Sequence, residues 1–231
     1  MDKAPAPISP SCMIARNVLV LALLAAPAQS EPASAPRVIL FLGTSLTAGY
    51  GLPDPAQAYP ALIQAKLDAA GLPYRAVNAG VSGETSAGAL RRLDWLLRTR
   101  VDVLVLETGA NDGLRGQDPE ATRSNIQAIF DRVRRQSPPP RLVLAGMEAL
   151  PNYGPEYGRR FHALFPELAK KNGAVLIPFL LEGVAGIPSL NQPDGIHPTA
   201  EGQRRVAEIV WKALRPLLSG KPSGPSPAPR G

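Results

Sequence analysis

Arg37-Val38-Ile39-Leu40-Phe41-Leu42-Gly43-Thr44-Ser45 runs five large apolar residues together and then breaks into Gly-Thr-Ser. A short unbroken apolar run rich in branched side chains reads as a strand buried on both faces, and a glycine directly behind it marks a sharp turn. Four further short strands are expected over residues 75–78, 101–106, 142–145 and 175–178. Segments of helical period lie between them. In 59–70, Leu62, Ile63 and Leu67 share one face and Gly71 ends the helix; in 87–98, Leu90, Leu93 and Leu97 form one stripe. Asp118-Pro119 supplies a cap and a proline at the first position for a helix over 120–135. Helices over 156–171 and 199–218 complete the pattern. Strands alternating with helices imply an α/β fold, with five parallel strands covered by helices on both faces.

The chain has 231 residues, 45% of them apolar, enough for one domain with a full core. Its formal charge is +6, from 25 Lys and Arg against 19 Asp and Glu. The basic residues are spread along the chain, and the densest group, Arg132, Arg134 and Arg135, falls on a helix as a solvated face. A nucleic-acid partner is therefore not expected. One cysteine, Cys12, excludes an intramolecular disulfide. Near the N-terminus, Arg16 precedes the apolar run of residues 18–26, followed by the small-x-small triplet Ala28-Gln29-Ser30. That order reads as a secretory signal peptide over residues 1–30, with Met13 an alternative start, and the run is too short to anchor the mature protein in a bilayer. Residues 31–36 read as a linker, 37–218 as the domain, and the Pro/Gly/Ser-rich 219–231 as a disordered tail. The mature protein is expected outside the cytoplasm, in the periplasm or secreted.

The polar signatures follow the strands. Gly43-Thr44-Ser45 comes after the first, Gly80-Val81-Ser82-Gly83 after the second, Gly109-Ala110-Asn111-Asp112 after the third, and Asp194 and His197 lie in the last loop before the closing helix. In open parallel sheets, ligands bind beyond the carboxyl ends of the strands. Ser45 is either a nucleophile presented to the cleft or a helix cap. Of the two histidines, His162 sits within a helix and reads as a surface or partly packed residue. His197 lies in Pro193-Asp194-Gly195-Ile196-His197-Pro198, where Asp194 can meet the imidazole across one turn. The pair is either an acid–base unit for Ser45 or a local turn. Gly83 offers a backbone N–H and Asn111 a side-chain amide to a developing oxyanion, although both also suit plain turns.

Together these four blocks resemble the SGNH or GDSL hydrolases, most closely the bacterial periplasmic thioesterase I/lysophospholipase L1/arylesterase group, over residues 37 to about 217. Gly43-Thr44-Ser45-Leu46 is similar to the first block, the stretch from Asn78 to Ser86 to the second, that from Gly109 to Gly116 to the third, and Asp194-Gly195-Ile196-His197-Pro198 to the fourth. The resemblance implies a three-layer α/β/α sandwich of flavodoxin-like topology. It also implies a Ser45–His197–Asp194 triad and an oxyanion hole of Ser45, Gly83 and Asn111. The implied activity is a serine esterase for small-molecule ester, thioester or lysophospholipid substrates, without metal or cofactor. Pro151-Asn152-Tyr153-Gly154 resembles a loop that borders the acyl groove of that group. Thr44 departs from the pattern, since the family usually has Asp there, and an altered rate or pH optimum is the expected consequence. Two other readings share these residues: a carbohydrate O-deacetylase with the same triad, and a catalytically silent binding protein. Apolar residues in the flanking loops (Met147, Leu150, Phe179, Leu180, Leu181 and Val184) favour acyl or aryl groups over sugars, and Trp95 and Trp211 fall on helices rather than at the site. The sequence carries no signal for the oligomeric state.

Overall fold

The computed structural model describes Met1, Asp2 and residues 35–219, and two units separate, Met1–Ser34 and Ala35–Gly231. The signal-peptide reading, most of the linker and the tail from residue 220 lie outside the described residues. The second unit contains five strands: β1 (Arg37–Gly43), β2 (Tyr74–Gly80), β3 (Val103–Glu107), β4 (Arg141–Ala145) and β5 (Val175–Ile177). Its helices are α1 (Ser45–Ala48), α2 (Tyr59–Ala69), α3 (Ser86–Leu96), α4 (Ala110–Leu114), α5 (Pro119–Val133), α6 (Gly154–Asn172) and α7 (Ala200–Ser219). The strands are all parallel in the order β2-β1-β3-β4-β5. The chain steps one way from β1 to β2 and the other way to β3, which puts the switch point between the ends of β1 and β3.

Burial explains why these segments are strands. Six of seven β1 residues and every residue of β3 are buried, as a strand covered on both faces requires. The helices stand in two groups, α2 against α7, and α5 between α3 and α6. With the sheet between them they form a three-layer α/β/α sandwich. Ile63 and Leu67 of α2, Leu93 of α3 and Ile126, Ile129 and Phe130 of α5 are fully covered. The end signals act as their chemistry demands: the Asp118 carboxylate accepts from Glu120 N with Pro119 in the first turn, and Gly173 closes α6 in the left-handed region.

Three local outcomes differ from the simple pattern. β3 begins at Val103 and ends at Glu107, taking in a carboxylate that the apolar run did not include. The turn-like Gly-Ala-Asn-Asp-Gly segment winds into the short helix α4, because the left-handed Gly109 feeds directly into it. Ser45 likewise opens α1, one turn long, rather than an open loop.

Candidate active site

Ser45, at the first position of α1, leaves the sheet directly after β1. The turn that carries it is held from three sides. Asn78 of β2 donates from Nδ2 to the Thr47 carbonyl at 2.9 Å. Gln203 of α7 donates from Nε2 to the Leu46 carbonyl at 3.3 Å and accepts from Tyr59 N at 2.9 Å. Glu107, the last residue of β3, accepts from Thr44 N at 2.7 Å, from Thr44 Oγ1 at 2.9 Å and from Thr47 Oγ1 at 2.8 Å. Tyr59 OH lies 2.7 Å from Thr47 Oγ1 and completes this buried chain. Burial pushes the Glu107 carboxyl up to about 7 against the opposing pull of its threonine donors. Burial, with Glu107 nearby, also pushes the Tyr59 phenol far up. Glycine is required where the backbones meet: a Cβ on Gly43 would collide with Thr47 Oγ1, and one on Gly80 with the Ala48 backbone.

His197 is brought to Ser45 from 152 residues away. Its Nε2 lies 2.8 Å from Ser45 Oγ and its Nδ1 lies 2.7 Å from Asp194 Oδ2. The other Asp194 oxygen accepts from Ile196 N at 2.9 Å and His197 N at 3.0 Å. These hydrogen bonds, the His197 backbone donor first and its ring second, lower the Asp194 carboxyl to about 2. With the proton on Nδ1 donated to Asp194, Nε2 is free to accept from the Ser45 hydroxyl, a tautomer assigned from this network. Tyr50 packs a tilted ring 4.7 Å from the imidazole. Gln192 ties the two loops together: its Nε2 donates to the Tyr50 carbonyl at 2.7 Å and to the Pro198 carbonyl at 3.0 Å.

Gly83 and Asn111 line the same cleft as Ser45 and His197. One Asn111 amide hydrogen goes to the Glu84 carbonyl at 3.0 Å, leaving the second for the cleft. Arg92 grips Glu84 through Nε at 2.8 Å and Nη2 at 2.6 Å, and the same Nη2 reaches the Ala79 carbonyl at 2.6 Å. Asp112, fully buried, accepts from Ser86 N and Oγ and from Thr122 Oγ1, which pins α4 to α3 and α5. The cleft measures about 600 Å³, and its wall is mostly apolar: Leu114, Met147, Ala149, Leu150, Phe179 and Leu181. Leu180 and Val184, expected beside them, point into the core instead. The Pro151–Tyr153 turn stands at the rim, where Tyr153 OH donates to the Leu114 carbonyl at 3.1 Å.

Two details of the site escaped the sequence. Glu107 is one; its signal was a lone charge closing an otherwise apolar strand. The other is the partner of His162, which is exposed on α6 as expected but pairs with Glu148 across 2.6 Å. Glu148 lines the cleft. Among the described residues, no group of three or more His, Cys, Asp and Glu side chains is placed to hold a metal ion, and no helix is long and apolar enough to cross a membrane.

This geometry has counterparts. The chain is 40% identical over 204 residues to Esterase TesA of Pseudomonas aeruginosa, covering 88% of this chain and all of that one. It is 39% identical over 188 residues to the Thioesterase 1/protease 1/lysophospholipase L1 of Escherichia coli, covering 81% and 88% of the two chains. Among solved structures, the psychrotrophic esterase EstA from Pseudoalteromonas sp., inhibited by monoethylphosphonate, superposes with a TM-score of 0.74 at 34% identity, over 80% of this chain and all of that one. The family model of the GDSL-like lipases and acylhydrolases matches residues 41–205. With the family's fold and sequence blocks both present, the chain belongs to the GDSL-like Lipase/Acylhydrolase family and is an ester hydrolase of the SGNH type.

Proposed function

We propose that the chain hydrolyses carboxylic esters with apolar acyl or aryl groups through a covalent acyl-enzyme, and that acyl-thioesters and lysophospholipids are further substrates. One observation carries this reading: the relay Asp194–His197–Ser45, with contacts of 2.7 and 2.8 Å, opens onto a cleft walled mainly by apolar side chains. Ser45 Oγ attacks the ester carbonyl while His197 Nε2 takes its proton. Asp194 holds the ring tautomer and stabilises the imidazolium. The Ser45 and Gly83 N–H groups and the free Asn111 amide hydrogen bind the oxyanion as the carbonyl becomes tetrahedral. His197 then protonates the leaving alcohol or thiol. Water, deprotonated by the same nitrogen, attacks the acyl-enzyme and releases the acid. The names of the relatives, esterase and thioesterase/lysophospholipase, support this substrate range. The mainly apolar wall favours acyl or aryl groups over sugars. Export follows from the segment Arg16 to Ser30, and N-terminal sequencing of exported protein should find a start between about residues 26 and 35.

The test is a substrate panel of p-nitrophenyl esters, acyl-thioesters, lysophospholipids and acetylated sugars, run beside labelling with a p-nitrophenyl alkylphosphonate. Turnover of the esters and a phosphonyl adduct on the Ser45 peptide are expected. Absence of both an adduct and ester turnover in folded protein would refute the proposal, and a preference for acetylated sugars would replace it with a deacetylase.

A further inference from the structure

We propose that Glu107 is a positioning residue for the nucleophile: by gathering the Thr44 N–H and the Thr44 and Thr47 hydroxyls onto one carboxylate, it sets the orientation of the turn that carries Ser45. The inference rests on the reading of Ser45 as the nucleophile.

The contacts are unusual in where they come from. Among the described residues, every hydrogen-bond donor to the Glu107 carboxylate belongs to the Ser45 turn, and none to its own strand or to a neighbouring strand. Ser45 lies between the two threonines that Glu107 holds, so the carboxylate grips the turn on both flanks of the reacting hydroxyl. Thr44 is the cap position of α1, yet its side chain makes no capping bond; its hydroxyl is committed to Glu107 instead. Thr47 in turn receives Tyr59 OH. Among the ion pairs of the described residues, none includes Glu107. The nearby Arg92 is spent on Glu84 and on the Gly43 and Ala79 carbonyls.

A buried carboxylate with no cation is a costly way to finish a strand. An apolar residue would close β3 without that cost. What the carboxylate supplies, and an apolar side chain cannot, is two acceptor oxygens aimed at three donors of a single turn. Holding Thr44 N and Oγ1 together fixes the Gly43–Thr44 peptide plane and the Thr44 side chain, one residue ahead of Ser45 and its N–H, the oxyanion donor nearest the nucleophile. The other two anchors, Asn78 and Gln203, reach only carbonyls of the turn. Neither holds the Thr44 side of Ser45.

The experiment compares the full chain with Glu107→Gln and Glu107→Leu on one soluble p-nitrophenyl ester, with each rate referred to sites titrated by a p-nitrophenyl phosphonate. Gln keeps one acceptor oxygen for Thr44 N; Leu keeps none. A misaimed nucleophile should lower kcat by about 10- to 100-fold in Glu107→Leu, and by less in Glu107→Gln, with KM within about twofold in both. The second-order rate of phosphonylation should fall in the same order. A purely structural role would reduce the number of titratable sites while leaving kcat per site unchanged, and that result overturns the proposal. If Glu107→Leu yields no folded protein, the Gln variant decides alone: a kcat per site equal to that of the parent overturns the proposal. Failure of the parent chain itself to titrate on Ser45 is a different result, which refutes the nucleophile reading and this proposal with it.

Discussion

The Ser45 turn and the Asp194–His197 loop meet across 2.8 Å, yet they are built in opposite ways. Thr44, Leu46 and Thr47 are buried, and side chains from β2, β3 and α7 hold their turn. Pro193, Asp194, Gly195 and Ile196 are exposed, and the loop is held mainly by bonds within itself, apart from the Gln192 side chain's tie to Tyr50: Gln192 N donates to the His197 carbonyl, and the Asp194 carboxylate takes the Ile196 and His197 N–H groups. Each region depends on a carboxylate, and the two are shifted in opposite directions. Glu107 is raised because desolvation outweighs its hydrogen bonds; Asp194 is lowered because hydrogen bonds act on a group that remains largely solvated. The position of Ser45 is thus a property of the core, and that of His197 a property of one short loop.

The largest effects should come from the reacting pair. Ser45→Ala and His197→Ala should each reduce kcat by roughly 10⁴- to 10⁶-fold with little change in melting temperature, because neither side chain fills the core. An equal and large loss of stability in His197→Ala would break the contrast between a core-held and a self-held region. Asp194→Asn comes next. It leaves the loop's size intact but favours the wrong imidazole tautomer, with an expected loss of about 10³- to 10⁴-fold in kcat. Its acid unfolding sharpens the comparison. The folded value of Asp194 lies below the ordinary one, so its stabilisation is present above the ordinary carboxylate range and fades as pH falls toward about 2. Asn should therefore flatten the steep acid end of the unfolding curve. Asn111→Ala should cost about 10²- to 10³-fold in kcat with KM nearly unchanged; a raised KM at normal kcat would make Asn111 a binding or turn residue only.

The smallest effect isolates Glu107. Its folded value lies above its ordinary one, so between about 4.5 and about 7 the folded chain holds a proton that the unfolded chain has released. Stability from this group therefore falls as pH rises through that window, by an amount on the order of 3 kcal/mol. Glu107→Gln cannot titrate. Its melting temperature relative to the parent should rise between pH 5 and pH 8, by about 2–4 °C for each kcal/mol recovered. Parallel melting curves at all pH values would show that the two carboxylates do not differ in the way described.

The sheet was legible because β1 and β3 are covered on both faces and so read as unbroken apolar runs. The cap of α5 was legible because Asp-Pro acts locally. The four glycine-, serine- and histidine-bearing blocks were legible by their places after successive strands. Glu107 was not, because its partners Thr44 and Thr47 lie 63 and 60 positions away. No local pattern announces a charge that the fold will bury. The Glu148–His162 contact escaped for a similar reason: the two lie 14 residues apart, on a loop and on the helix that follows it, at no helical spacing. Thr44 reads differently once its hydroxyl is seen to be engaged by Glu107. An acid at that position would place a second carboxylate against a buried one.

On the proposed mechanism, the separation of Ser45 and His197 by 152 residues also sets a time at which the molecule becomes an enzyme. A ribosome releases the nucleophile early, together with β1, and the base almost last, just ahead of α7. Gln203, which secures Leu46 and Tyr59, comes later still. Until that final helix has emerged, a growing chain holds a serine without a base and cannot attack an acyl ester. On that mechanism, chains broken off anywhere before residue 197 lack the base and are inactive.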